Sequence, residues 1–327
     1  MNFLENFVKP YKILAPMVGN SELSWRKLSR RYGADFCFTE MINCDTFLRS
    51  NQNPLSNKFY TTNQEDRPLI IQICGNDISK MLKVSLLVQD FCDAIDINLG
   101  CPQEIARRGH YGSFLQDDWE LVEKIIKELS THLKVPVTCK IRIFESIEKS
   151  VEYAKMIEKA GCKMLTVHGR QRHQRGVNTG LASWAHIKAI KEALNIPVIS
   201  NGNIIYNSDI QRCVEYTKCD GVMVAETHLY NPLIFTNIKD KTSVEIYREY
   251  LEIYREEYNE YDLGNIKSHT YKILQVFLKE YKEFREEINL CKKLEDYEKI
   301  SEKIEKFIKE KQVDEKYLRM EPNIRQK

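Results

Sequence analysis

Residues 136–168 read PVTCKIRIFESIEKSVEYAKMIEKAGCKMLTVH. A β-branched run (136–141) is followed by an amphipathic stretch (148–160) and a second apolar run (163–168). Near-continuous apolar strands joined by helices mean a parallel sheet covered on its faces. The same unit recurs outward in both directions. Strands are predicted at 12–15, 35–39, 69–74, 93–98, 136–141, 163–168, 197–201 and 220–225. Helical stretches lie between them, at 22–32, 77–89, 117–133, 148–160, 183–194 and 207–216. Asp77, Asp117, Ser183 and Asn207 are the expected N-caps of four of them. Eight strand–helix units in some 230 residues favour an α/β fold of the closed (β/α)8 TIM-barrel type over an open doubly wound sheet. No G-x-G-x-x-G follows an early strand, which counts against the dinucleotide-binding form of the open sheet.

The composition changes near residue 240. Residues 241–327 hold 19 Lys+Arg and 20 Asp+Glu, against 30 and 27 in the first 240. Apolar residues in this second part recur at helical spacing, as in Val244, Tyr247, Leu251, Tyr254 and in Ile300, Ile304, Phe307, Ile308. The expected division is therefore a barrel over 1–240 and a smaller all-helical domain of about four helices over 241–327.

Net charge is +2 and Gly and Pro are sparse, so polybasic, collagen-like and low-complexity classes fall away. The 10 cysteines include no CxxC pair, so no structural zinc is expected. Scattered cysteines in apolar runs fit a reduced intracellular chain. The opening MNFLENFVKPYK has neither a basic n-region nor an apolar h-region, and no run has the ~18 apolar residues of a membrane span.

Active sites of such barrels lie at the C-terminal strand ends. These ends carry Pro16-Met17, Glu40, Gln72, Asn98 with Cys101, Lys140 with Arg142, His168 with Arg170, Asn201-Gly202-Asn203 and Ala225-Glu226. A lysine inside VTCKIRI points into the mouth and requires a partner. Two basic clusters lie on the same face: Arg107, Arg108, His110, and Arg170, Arg172, His173, Arg175. They suit a phosphate backbone despite the near-zero net charge.

APM (15–17), QICGN (72–76), INLGCPQEIARRGHYGSFL (97–115), TCKIR (138–142), TVHGR (166–170) and SNGN (200–203), in that order, resemble the flavin-dependent tRNA-dihydrouridine synthase family. The chain is most similar to the eukaryotic-type branch that acts on positions 16 and 17 of the tRNA D-loop. GLASWAHIKAIK, CDGVMVAE and LYNPLIF extend the likeness over about 11–238. IKSHTYK (266–272) echoes it weakly, and 280–327 is left unmatched.

The resemblance implies FMN at the barrel mouth, with NADPH as electron donor. The Pro16-Met17 backbone and His168 would meet the flavin ring, and Gln72 its pyrimidine edge. Lys140 would stand where reduced flavin gathers negative charge. Asn201, Gly202, Asn203, Ala225 and Glu226 would take the phosphate end. Hydride would then reach C6 of a tRNA uracil, and Cys101 would give the proton to C5. A thiol, with an ordinary pKa of ~8.5, is protonated and able to do so. Asn98 would hold the uracil, and Arg107, Arg108, Arg170 and Arg172 the tRNA. The resemblance further implies a monomer in the cytoplasm or nucleus. The strand-8 end departs from the family pattern, with Glu226 followed by Thr227 where the branch has glycine. Two other readings stay open: a flavin barrel acting on a small pyrimidine, in the manner of dihydroorotate dehydrogenases, and a non-catalytic tRNA-binding relative.

Overall fold

The computed structural model describes residues 10–50, 60–257 and 263–321. Most of the opening MNFLENFVKPYK, residues 1–9, and the last six residues of the charged tail lie outside the described residues. Among the described residues nine parallel strands occur in chain order: β1 (Tyr11–Leu14), β2 (Phe36–Phe38), β3 (Ile42–Asn43), β4 (Leu69–Cys74), β5 (Ala94–Leu99), β6 (Val137–Ile143), β7 (Leu165–Gln171), β8 (Val198–Asn201) and β9 (Gly221–Val224). Consecutive strands pair except β2 and β3; β1 also pairs with β9, and β2 with β4. The sheet thus closes into an eight-stranded barrel. The two-residue β3 continues the line of β2 beyond a break at residues 39–41 and pairs with the upper part of β4.

The period-2 side-chain alternation of a strand sorts the sequence into layers. Ile13, Phe36, Phe38, Ile70, Ala94, Met164, Ile199 and Met223 fill the floor of the barrel. The alternate residues, such as Ile95, Ile97, Cys139, Ile141, Leu165 and Val167, pack outward against the helices. The covering helices open on side-chain caps. Asp77, Ser146 and Ser183 accept from the third amide of their helices. Two expected caps move: Asp118, not Asp117, caps helix Trp119–His132, and Asn207 is already inside its helix, where Asp209 takes the amides of Ile205 and Tyr206.

From Ser243 the chain is helical, in segments Ser243–Glu256, Leu263–Ile273, Gln275–Glu280, Glu283–Leu290 and Leu294–Lys311. Their apolar faces do not form a separate core. Trp25, Leu28, Val224 and Phe235 of the barrel part belong to one continuous cluster with Tyr247, Tyr250, Ile266, Phe277 and Ile304. None of the described helices is long and apolar enough to cross a membrane.

Candidate active site

Inward positions of adjacent strands build the mouth. Asp96 faces Thr138, Asn98 faces Lys140, and His168 faces Asn201. Above the apolar floor the first polar layer is a closed network. Thr138 Oγ1 and Gln72 Nε2 donate to the two oxygens of Asp96, at 2.7 and 2.8 Å. Asn98 Nδ2 donates to Gln72 Oε1 at 2.8 Å. Burial, offset by these two hydrogen bonds and by nearby Lys140, pushes the Asp96 carboxyl up to about 6. The residues beyond sequence reach here are Asp96 and Thr138. The signal was present in DAIDIN, where every second residue from Ala94 leads to Asp96 and Asn98.

Asn98 works from both ends. Its Oδ1 accepts the amides of Gly100 and Cys101 at 3.1 and 2.9 Å, fixing the turn that carries the thiol. Cys101 is one of two partly exposed cysteines among the ten; the other eight are buried. Its carbonyl accepts from Ser113 N and Oγ, both at 3.0 Å. Residues 104–108 form a short helix followed by a 3-10 turn over 112–117. Gly112 has φ +66°, and a Cβ there would stand 2.7 Å from the Cys101 carbonyl and 3.0 Å from its Cβ. Gly112→Ala therefore strains the backbone and shifts the thiol. Turnover is expected to fall roughly 10- to 100-fold, because small misplacements of a reacting group are costly. Single-turnover kinetics beside a melting curve would separate this from simple unfolding.

Next to the thiol stands a concentration of positive charge. Lys140 makes no hydrogen bond or ion pair among the described residues. Burial and then neighbouring Arg142 push its ammonium down to about 8. Arg142, buried, donates Nε to Gly100 O at 2.9 Å and Nη1 to Gln171 O at 2.8 Å; burial and Arg170 lower it to about 10. Burial, with Lys140, Arg142 and Arg170 around it, holds His168 well below its ordinary range, hence neutral. Its Nε2 then accepts from Arg170 Nη1 at 3.0 Å.

Arg170 departs from the expectation of a tRNA contact. Only 3% exposed, it binds His168, Gly180 O and Asn203 Oδ1. β7 continues past the predicted end at 168 to Gln171, with a register shift opposite Arg142/Ile143, so Arg170 lies two residues beyond His168 on the same inward face. Arg107 and Arg108 remain exposed and share Glu104. Arg172 pairs with Asp117 at 2.6 Å over the Phe114 ring, on the rim of a cleft of about 890 Å³ that also meets His173, Arg175 and Lys149.

Beyond His168 a cavity of about 220 Å³ is bounded by Asn201, Gly202, Asn203, Ala225, Glu226 and Thr227, among others. Gly202 (φ +114°) and Asn203 (φ +62°) turn the backbone there, and a Cβ on Gly202 would lie 2.6 Å from Ala182. The Asn201 and Asn203 side chains serve this turn: Asn201 donates to Met223 O, while Asn203 exchanges hydrogen bonds with both backbone groups of Ala182. Glu226, exposed, adds a negative charge near Arg170. At the first strand end Met17 N donates to Ser21 Oγ at 3.0 Å, and Glu40 accepts Gly19 N at 2.7 Å.

A closed (β/α)8 barrel with a thiol, an unpaired ammonium and further cations converging on its C-terminal mouth defines a barrel-enzyme type of site suited to an anionic ligand. Residues 13–320 match the family described as Dihydrouridine synthase (Dus), and the chain belongs to that family. It is 46% identical over 290 residues to a mouse protein named as a tRNA-dihydrouridine(16/17) synthase-like protein, covering 89% of this chain and 60% of that one. It is 46% identical over 288 residues to the tRNA-dihydrouridine(16/17) synthase of Saccharomyces cerevisiae, covering 85% and 68%. Identity to the human tRNA-dihydrouridine(20a/20b) synthase-like protein is 37% over 235 residues, covering 70% and 72%. The chain spans about 60% of the length of the mouse relative. The family match runs well past the 11–238 region of resemblance and takes in most of the charged tail.

Proposed function

We propose that the protein is an FMN-dependent tRNA-dihydrouridine synthase, using NADPH to reduce the C5–C6 bond of a D-loop uridine, at position 16 or 17. The observation that carries this reading is the placement of Cys101 and of the Lys140 ammonium, which has no partner among the described residues, at the ends of adjacent strands β5 and β6. The residues fit a phosphorylated flavin. A cation without a partner among the described residues, a histidine held neutral and a left-handed Gly202 turn bounding a cavity of about 220 Å³ all suit an anionic cofactor. When bound, FMN supplies the hydride.

This chain's own residues do the rest. Lys140 places positive charge where the ligand is most negative. His168 lies beside it, its Nε2 already taken by Arg170, so Nδ1 is the nitrogen left to donate. Gln72 keeps one Nε2 hydrogen beyond its bond to Asp96 and can offer it to the cofactor's pyrimidine edge. Pro16 and Met17 border the opposite side of the mouth. Asn201, Gly202, Asn203, Ala225 and Glu226 frame the phosphate cavity, and Glu226 is exposed to solvent with its charge near Arg170. Cys101 holds the proton destined for C5, and Asn98 holds Cys101 while offering the uracil its remaining N–H.

The uridine must leave the tRNA fold to reach this mouth, at least cost from an unpaired loop. Arg107, Arg108 and Arg172 meet the RNA backbone, whereas Arg170 braces His168 from behind. Residues 1–240 form the catalytic unit and 241–327 the tRNA-gripping one, acting as a monomer in the cytoplasm or nucleus. Flavin binding is the first test. The purified protein is expected to be yellow, to release FMN on denaturation and to bleach with NADPH. A colourless protein that takes up no FMN would overturn the assignment.

A further inference from the structure

Helix Leu263–Ile273 contains the IKSHTYK segment, to which the site above assigns no role. Asn265, Ser268, His269 and Lys272 follow the i, i+3, i+4, i+7 spacing of one helix face. All four reach the loop between β1 and helix Leu23–Arg31, the loop that carries Pro16 and Met17. Ser268 Oγ donates to Asn20 Oδ1 at 2.9 Å, and Lys272 Nζ bonds both Asn20 Oδ1 and Ser268 Oγ. His269, fully buried, donates Nε2 to Glu22 Oε2 at 3.1 Å; Asn265 Nδ2 stands 3.5 Å from the same oxygen. Tyr250 OH closes Glu22 Oε1 at 2.8 Å, and the His269 ring stacks on Trp25 at 4.0 Å. Lys267 points elsewhere, to Asn289 O.

The loop is held from the barrel side as well. Glu40, at the end of β2, takes Gly19 N, and Ser21 Oγ bridges Met17 N and Ala15 O. Within it, Asn20 N donates to Met17 O at 3.0 Å. Asn20 is thus the link between the two clamps: its backbone fixes Met17 and its side chain is fixed by the C-terminal helix. A buried carboxylate such as Glu22 is tolerated because His269 and Tyr250 answer it, and burial is outweighed so that its pKa is lowered.

We propose that this helix face is a positioning element for the active site: Lys272 and Ser268 through Asn20, and His269 through Glu22, set where the Met17 backbone stands at the mouth. The inference rests on the reading that a flavin lies against Met17. It makes the C-terminal helices part of the cofactor site, independently of any contact they make with tRNA.

The test uses the full chain. Lys272→Met and Asn20→Ala each remove one side of the same hydrogen bond, and their double variant measures coupling. In the flavin-free protein, amide hydrogen exchange over residues 17–22 is expected to rise roughly ten-fold in each single variant, with no further rise in the double. FMN affinity is expected to weaken several-fold in parallel, and the bound-flavin absorption to shift. His269→Gln, which keeps a donor where Nε2 lies, is expected to retain the parental exchange, and His269→Leu to lose it. Unchanged loop exchange in Lys272→Met, or additive effects in the double variant, would overturn the proposal. Faster loop exchange with unaltered FMN affinity would also refute it, since the loop would then not position the cofactor. A parental protein that takes up no FMN would instead defeat the functional reading, leaving exchange to decide whether the clamp exists.

Discussion

Cys101→Ala is expected to leave the protein folded and flavin-loaded while lowering dihydrouridine formation by about two to four orders of magnitude, the range for loss of a positioned general acid. The reason is the division of labour at the end of β5. The thiol belongs to a turn fixed by Asn98 Oδ1 and the two Ser113 donors, which all bond Cys101 backbone atoms rather than Sγ. Truncating the side chain therefore leaves every one of these bonds intact. Reduction of the bound flavin by NADPH does not require the proton donor and is expected to continue at its normal rate. Stopped-flow absorbance for that half-reaction, beside single-turnover assays on tRNA for the other, separates the two. Normal turnover in the alanine variant would remove Cys101 from the role.

Lys140→Met is expected to act on the other half. The substitution keeps most of the apolar stem but removes a cation that has no protein partner among the described residues, so no internal ion pair is broken. A charge-assisted hydrogen bond is worth about 1.5–3 kcal/mol, so FMN affinity should weaken roughly 10- to 150-fold. Flavin reduction by NADPH should slow as well, because the charge it gathers is no longer met. The native lysine also predicts a pH dependence. With its folded-state pKa lowered from 10.5 to about 8, the empty site loses its cation as pH rises through 8. An anionic ligand holds that proton in place, so binding above pH 8 takes up a proton, and affinity falls by up to ~10-fold per pH unit there. In the unloaded protein the same shift makes folding release a proton between pH 8 and 10.5, so stability contributed by this group rises with pH across that window. Titration calorimetry in buffers of different ionisation heat measures the proton uptake directly. A yellow, normally reducible Lys140→Met protein with unaltered FMN affinity would contradict the role.

The fold was legible because the apolar strands are punctuated by ionisable residues at their C-terminal ends. VTCKIRI shows this best: Cys139 and Ile141 go outward, and Thr138, Lys140 and Arg142 inward. Alternation is local, and local signals survive in sequence. What escaped was set by irregularity or by distance. β7 runs three residues past its expected end at His168, so Arg170, two residues on and on the same inward face, is found bracing His168 where a tRNA contact was expected. The pair β2 and β3 is one barrel position broken after Phe38, and a two-residue strand has no periodicity to read. The Glu22–His269 pair joins residues 247 apart, and no local pattern announces such a partner. The charge step near 240 lies just before helix Ser243–Glu256, but charge density carries no sign that these helices share a hydrophobic core with the barrel helix carrying Trp25 and Leu28.

The most direct test is to incubate the purified protein with FMN, NADPH and unmodified tRNA and to map dihydrouridine along the product. The account predicts dihydrouridine in the D-loop, at position 16 or 17, strictly dependent on NADPH and lost in Cys101→Ala. An unmodified tRNA from a flavin-loaded, NADPH-reducible protein, or reduction of free uracil in its place, would contradict it.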